Sequence, residues 1–111
     1  MPQFTLRLYS LSLESVRLVG VAAASIARHD ADLARQLRRA LTSIHLNIAE
    51  GMDADGRNRH SRFRTALGST NECIAALDAA DALGYLARDA AMYDKLQHVR
   101  ATLLRLVIAR R

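Results

Sequence analysis

The sequence is short of the residues that break helices, cross-link chains or stack on bases. One proline, Pro2, and five glycines stand among 111 residues, so little interrupts a helix. The single cysteine, Cys73, cannot form an internal disulfide, and a small packing role is expected of it. Tryptophan is absent and aromatic residues make up 5%, which argues against recognition of bases by stacking. No run of apolar residues reaches 18, so no helix is expected to span a membrane. The most apolar segment, Leu18 to Ala27, follows Glu14 and Arg17 and lacks the basic start and cleavage context of a secretory signal. A cytoplasmic protein is expected. The four histidines, His29, His45, His60 and His98, include no i, i+4 pair, and no helix carries Glu-x-x-His. Neither a metal nor another cofactor is therefore expected.

What is present is mostly helix former. Hydrophobic residues make up 50%, much of it Ala and Leu, in a 12.3 kDa chain read as one domain over residues 1–111. A chain of this size buries a modest core, and oligomerisation would help cover apolar surface. The net charge is +5, and of 16 basic residues 15 are Arg. Arg dominance suits bidentate pairing with phosphate or carboxylate and equally follows from a GC-rich coding genome.

Apolar positions at Phe4, Leu8, Leu11, Leu13, Val16, Val19 and Ile26 recur at helical spacing and predict a first helix over Phe4 to Arg28. Asp30 or Asp32 is placed to cap the second. There Leu33, Leu37, Ala40, Leu41, Ile44 and Ile48 form one broad buried face at about 100° per residue. Gln36, Arg39, Ser43, Asn47 and Glu50 form a narrow polar stripe on its flank, where a neighbouring helix or subunit would half-cover them. Gly51 is expected to close this helix in the left-handed conformation, with Met52 to Asn58 as the longest loop and Asn58 or Ser61 as the next N-cap. Asp53-Ala54-Asp55-Gly56 begins like a calcium loop but lacks the closing bidentate Glu. A third helix to about Leu86 should bury Phe63, Ala66, Leu67, Thr70, Ile74 and Leu77, with Asp81 at the bundle edge. A fourth from about Asp89 should bury Leu96, Val99, Leu103, Leu106 and Val107. Four such helices with short loops make an all-α, antiparallel up-down-up-down four-helix bundle.

The words Arg38-Arg39-Ala40, Ser43-Ile44, Asn47-Ile48-Ala49-Glu50-Gly51, Ala66-Leu67-Gly68-Ser69 with Glu72, and Leu83-Gly84-Tyr85-Leu86 resemble the four-helix-bundle family of 23S ribosomal-RNA intervening-sequence proteins. The resemblance spans about residues 33–86. It implies a compact bundle assembling into a homopentamer, and a fold shared with nucleic-acid-binding accessory proteins of diversity-generating retroelements. The chain departs from the pattern at His45, at the Met52 to Asn58 segment, at Ile74 in place of a second Glu, and in its Ala-rich first helix.

Two groups of residues are candidates for function. Arg39, Ser43, Asn47 and Glu50 with Ser69 and Glu72 are expected to form a polar network at the contact of the second and third helices or between subunits. A catalytic pair of Glu50 and Glu72 would need a cleft and one raised pKa, so no enzymatic activity and no small-molecule substrate are expected. Arg57, Arg59, His60, Arg62 and Arg64 form the densest basic patch. Cations at a helix start oppose its macrodipole and hint at an anionic partner. Arg35 and Arg38 lie outward on the second helix, and Arg100, Arg105, Arg110 and Arg111 add a basic region on the fourth. The expected partners are further copies of the chain and RNA or DNA bound by backbone and shape, with repeated weak contacts multiplied by avidity. The alternative is a scaffold or protein adaptor without a nucleic-acid role.

Overall fold

The structure, a computed structural model, describes residues 3–109 and consists of four helices: α1 Gln3–Ala27, α2 Ala31–Asp53, α3 Gly56–Ala82 and α4 Ala90–Ala109. The Phe4 side chain, Arg110 and Arg111 lie outside what is described. Among the described residues there is no strand. α2 packs on α1 and α3, α3 on α4, and α4 returns to α1, closing an up-down-up-down bundle of 42 × 23 × 21 Å.

Each helix contributes one apolar stripe to the core. Leu8, Val19 and Ile26 of α1 meet Leu37, Ile44 and Ile48 of α2, Leu77 of α3, and Leu96, Val99 and Leu103 of α4, all nearly inaccessible to water. Burial of each such side chain contributes about 1.5–3 kcal/mol. Leu33, Leu67, Ile74, Leu106 and Val107, expected in the core, are only partly buried, because they stand at the margins of their stripes. Cys73 takes a fully buried place instead. Over Thr5–Ala27, α1 is long and apolar enough to cross a membrane by length and composition, contrary to the expectation from uninterrupted runs. One side of it is committed to this core.

The turns show where local chemistry decides. Asp30 caps α2, its Oδ1 accepting from Leu33 N at 2.9 Å. Asp89 does the same for α4, accepting from Ala91 N at 2.9 Å. α3 ends at Ala82 rather than near Leu86, because Gly84 (φ 78°) takes the left-handed position. Tyr85 N then donates to Ala80 O at 2.8 Å and Gly84 N to Asp81 O at 3.0 Å, the Schellman pattern.

Between α2 and α3 the expectation fails. Gly51 is buried within α2, which runs on to Asp53, and the connection is Ala54-Asp55 rather than Met52 to Asn58. Gly51 is needed for space, not for a left-handed turn: a Cβ there would lie 2.5 Å from Cε1 of Phe63. The left-handed residue is Gly56 (φ 54°), which starts α3. Asp55, not Asn58 or Ser61, occupies the N-cap, and its side chain makes no capping bond.

Candidate nucleic-acid interface

The arginines that follow one another in sequence at the start of α3 separate in space. With the helix beginning at Gly56, Arg57 and Arg64 fall about 20° apart around the axis, while Arg59 and Arg62 point elsewhere. Arg57, His60, Ser61, Arg64 and Thr65 line an open groove of about 440 Å³ along the outer face of α3. His60 fixes its inner wall: Nε2–H donates to Val107 O at 3.1 Å. Arg57 and Arg64 are exposed beside it.

Arg59 turns inward and is not part of this face. Its Nε donates to Gly51 O at 3.1 Å and Ala54 O at 3.0 Å, and its Nη2 to Met52 O at 3.1 Å. These carbonyls end α2, where a cation suits the partial negative charge. Arg62 pairs with Glu50, Nη1 to Oε2 at 2.8 Å, on a second groove shared with Asp53, Asn58 and Ser61. Two of the four patch arginines are thus engaged by the chain itself. Arg105 stands apart, between α1 and α4, lining a cleft with Arg7 and His98. Arg100 Nε donates to Asn71 Oδ1 at 2.9 Å.

The polar stripe is joined only at its centre. Ser69 Oγ donates to Ser43 Oγ at 2.8 Å across the α2–α3 contact, and Asn47 Nδ2 donates to Ser43 O at 2.9 Å and approaches Ser43 Oγ at 3.1 Å. Gln36 turns to Asp32 (Nε2 to Oδ2, 3.0 Å). Arg39 and Glu72 are exposed and do not join the serines. Glu50 and Glu72 do not converge, Glu50 being held by Arg62. Burial, aided by the charge of Glu72, pushes the Cys73 thiol up to about 12, so it stays a neutral packing group.

Three arrangements were not foreseen. His45 is half-buried against α1, with Nδ1 2.7 Å from Ser12 Oγ and its ring 4.7 Å from that of Tyr9. Burial lowers its pKa. Tyr93 donates to Asp78 Oδ1 at 2.9 Å beneath the Arg88 guanidinium, 4.0 Å above the ring, and burial followed by the Asp78 bond pushes its phenol up to about 12. Lys95 Nζ binds Glu14 Oε2 at 2.6 Å between α4 and α1, and this bond holds the Glu14 carboxyl below its usual range. Each joins residues far apart in the chain, so helical spacing alone carries no signal for it.

Among the described residues no group of three His, Cys, Asp or Glu side chains could hold a metal ion. The model of a protein family described as 23S rRNA-intervening sequence protein matches residues 5–105. The crystal structure of a protein of unknown function from the S23 ribosomal protein family of Bacteroides thetaiotaomicron is similar over 96% of this chain and 99% of that one, at 21% identity and a TM-score of 0.84. At that identity the likeness speaks for the fold. No curated protein matches the chain.

Proposed function

The chain belongs to the family of 23S rRNA-intervening sequence proteins, and from that premise we propose that it is a non-enzymatic, self-assembling bundle that binds structured RNA or another nucleic acid. The observation that carries this reading is the groove beside α3. There Arg57 and Arg64 lie on one face, and Arg57 stands in the first turn of a helix whose own dipole disfavours cations. An approaching phosphate backbone would relieve that conflict. Arg59 and Arg62 are not part of the binding face in this reading; they hold the two helices that present it.

Self-association, with five copies as the family resemblance implies, is supported by large apolar side chains left exposed on α1 and α2. Leu6, Tyr9 and Leu46 are 50%, 37% and 58% exposed. Side chains of this kind clustered on one surface mark interaction sites more often than bare surface. A ring of copies would repeat the α3 groove and multiply weak phosphate contacts.

The internal use of Arg59 and Arg62 also favours a second reading, a self-assembling scaffold without nucleic acid. Light scattering after size exclusion separates the two. It should be run at low and high salt on nuclease-treated and untreated protein, with the ultraviolet absorbance read for nucleic acid. The first reading expects an oligomer of the 12.3 kDa chain that carries nucleic acid only when untreated and sheds it in salt. Arg57→Gln with Arg64→Gln should keep the mass and lower the salt slope by about two. A clean oligomer at every salt concentration would leave the scaffold, and a monomer would sink both readings.

A further inference from the structure

The row that carries Arg57 and Arg64 does not stop at the groove. Positions seven apart on a helix fall about 20° apart around its axis, so Arg57, Arg64 and Asn71 form one line along α3, about 21 Å long at about 1.5 Å per residue. Arg57 and Arg64 are exposed, and among the described residues neither guanidinium is held by an ion pair or a hydrogen bond. Asn71 brings a third guanidinium to the line, because Arg100 of α4 donates from Nε to Asn71 Oδ1 at 2.9 Å. That bond uses Nε and a neutral amide, so it leaves both Nη groups over and cancels no charge. The next position of the row, Asp78, ends it with a carboxylate already shared by Tyr93 and Arg88. Glu72 is turned about 100° away from Asn71 around the helix.

Between Arg64 and Asn71 the helix is bare. Gly68 is exposed in the middle of α3, its φ is not left-handed, and a Cβ there would meet nothing within 4 Å. Neither need met by glycine elsewhere in the chain, the turn at Gly84 or the ring against Gly51, applies to it. Inside a helix glycine is disfavoured relative to every residue but proline, so nothing within the chain accounts for its place. What remains is close approach by something outside the chain. The character of the face sets the class of that partner. None of the large exposed apolar side chains among the described residues lies on α3, which separates this face from surfaces suited to a further copy. Its row holds no aromatic residue on which an unpaired base would stack. We infer that the phosphodiester backbone of a base-paired stem lies along this row, with Arg100 as a third phosphate contact and Gly68 as the point where that backbone comes nearest to α3. The inference rests on the nucleic-acid reading and names the ligand's form and two further contact residues. At about 3.4 Å per base pair the row spans about six pairs.

The test uses the full-length protein and two hairpins of one sequence, RNA and DNA, with stems of about ten base pairs so that each exceeds the row. Binding would be followed by fluorescence anisotropy over a range of salt, and the mass of each variant read by light scattering. Arg100→Gln should weaken binding about fivefold and lower the salt slope by about one. Gly68→Gln places a good helix former at an open position, so it should raise the melting temperature by about 4 °C and still weaken binding about fivefold. A gain in stability joined to a loss of binding is a signature that a merely structural role would not give. The same losses are expected on whichever hairpin binds; a preference for RNA would add a contact to the 2′-hydroxyl. If the wild-type protein binds neither hairpin, the nucleic-acid reading fails and this inference with it. If it binds and both variants keep its affinity and salt slope, the inference alone is overturned. It is also overturned if Gly68→Gln lowers the mass of the assembly, since the bare backbone would then face a neighbouring copy.

Discussion

At the end of the bundle where α2 and α4 begin, carboxylates stand where helix chemistry wants them. Asp30 and Asp89 cap the two helix starts, and Asp78 is shared by Tyr93 and Arg88. At the opposite end, where α1 and α3 begin, arginines gather, and Arg57 stands against the dipole of its own helix. Asp55 is at the right place to cap α3 and makes no side-chain bond, while Arg57, Arg64, Arg7 and Arg105 face grooves. The starts of α2 and α4 are capped by carboxylates, and the start of α3 is not. Rule-breaking that tertiary contacts do not repair is where a partner is to be sought.

The sharpest way to break this contrast is within the basic end itself. Arg59→Ala removes the donor to three carbonyls at the end of α2 and should cost about 1.5–3 kcal/mol. Arg62→Ala, three residues on, loses a half-exposed ion pair and should cost about 0–1 kcal/mol. Urea unfolding of the two variants decides it; equal losses would mean that Arg59 is no anchor.

A smaller effect compares the same residue type at two helix starts. Asp30→Ala should cost about 1 kcal/mol, a fall in melting temperature of about 4–8 °C, because a capping bond is lost. Asp55→Ala should stay within about 0.5 kcal/mol, since no such bond exists. A costly Asp55→Ala would show that the end called uncapped is capped in solution.

The least effect is a separation of the two ends by pH. His45 belongs to the basic half, and burial holds its folded-state pKa below the ordinary histidine value of 6.5. The unfolded chain then binds the proton more readily, so this contribution is complete above about pH 6.5 and is lost as pH falls from there through the folded value. At the acidic end the Arg35 bond, helped by Gln36, lowers the Asp32 pKa from 3.8. Its contribution is present above that value and disappears only as pH falls below it. Thermal melts from about pH 8 to about pH 3 should show two small steps, the upper one absent in His45→Gln. A single step would mean that the ends do not titrate apart.

Most of the fold could be read from the residues, because periodicity depends on neighbours within a helix. The buried faces of α2 from Leu37 on and of α4 through Leu103 follow directly from spacing, which also narrows the cap of α2 to Asp30 or Asp32, and the structure gives it to Asp30. Gly51 could not be read the same way. Glycine answers two needs, a left-handed turn or a close approach, and only the Phe63 ring tells which applies. Misreading Gly51 misplaced the start of α3, and the arginines then read as one continuous patch. The helical arithmetic that separates Arg57 and Arg64 from Arg59 and Arg62 lay in the sequence once the start at Gly56 was known. The cleft of Arg7, His98 and Arg105 had no such signal, since its residues lie on the first and last helices.

Cys73 gives the molecule a clock. It is the chain's one thiol, has no accessible surface, and is held protonated by its surroundings. An alkylating reagent must wait for the helices around it to part, so the pace of labelling counts openings of the bundle rather than encounters with its surface. Whatever tightens the bundle, such as neighbouring copies packed against it, would be heard as a slower tick.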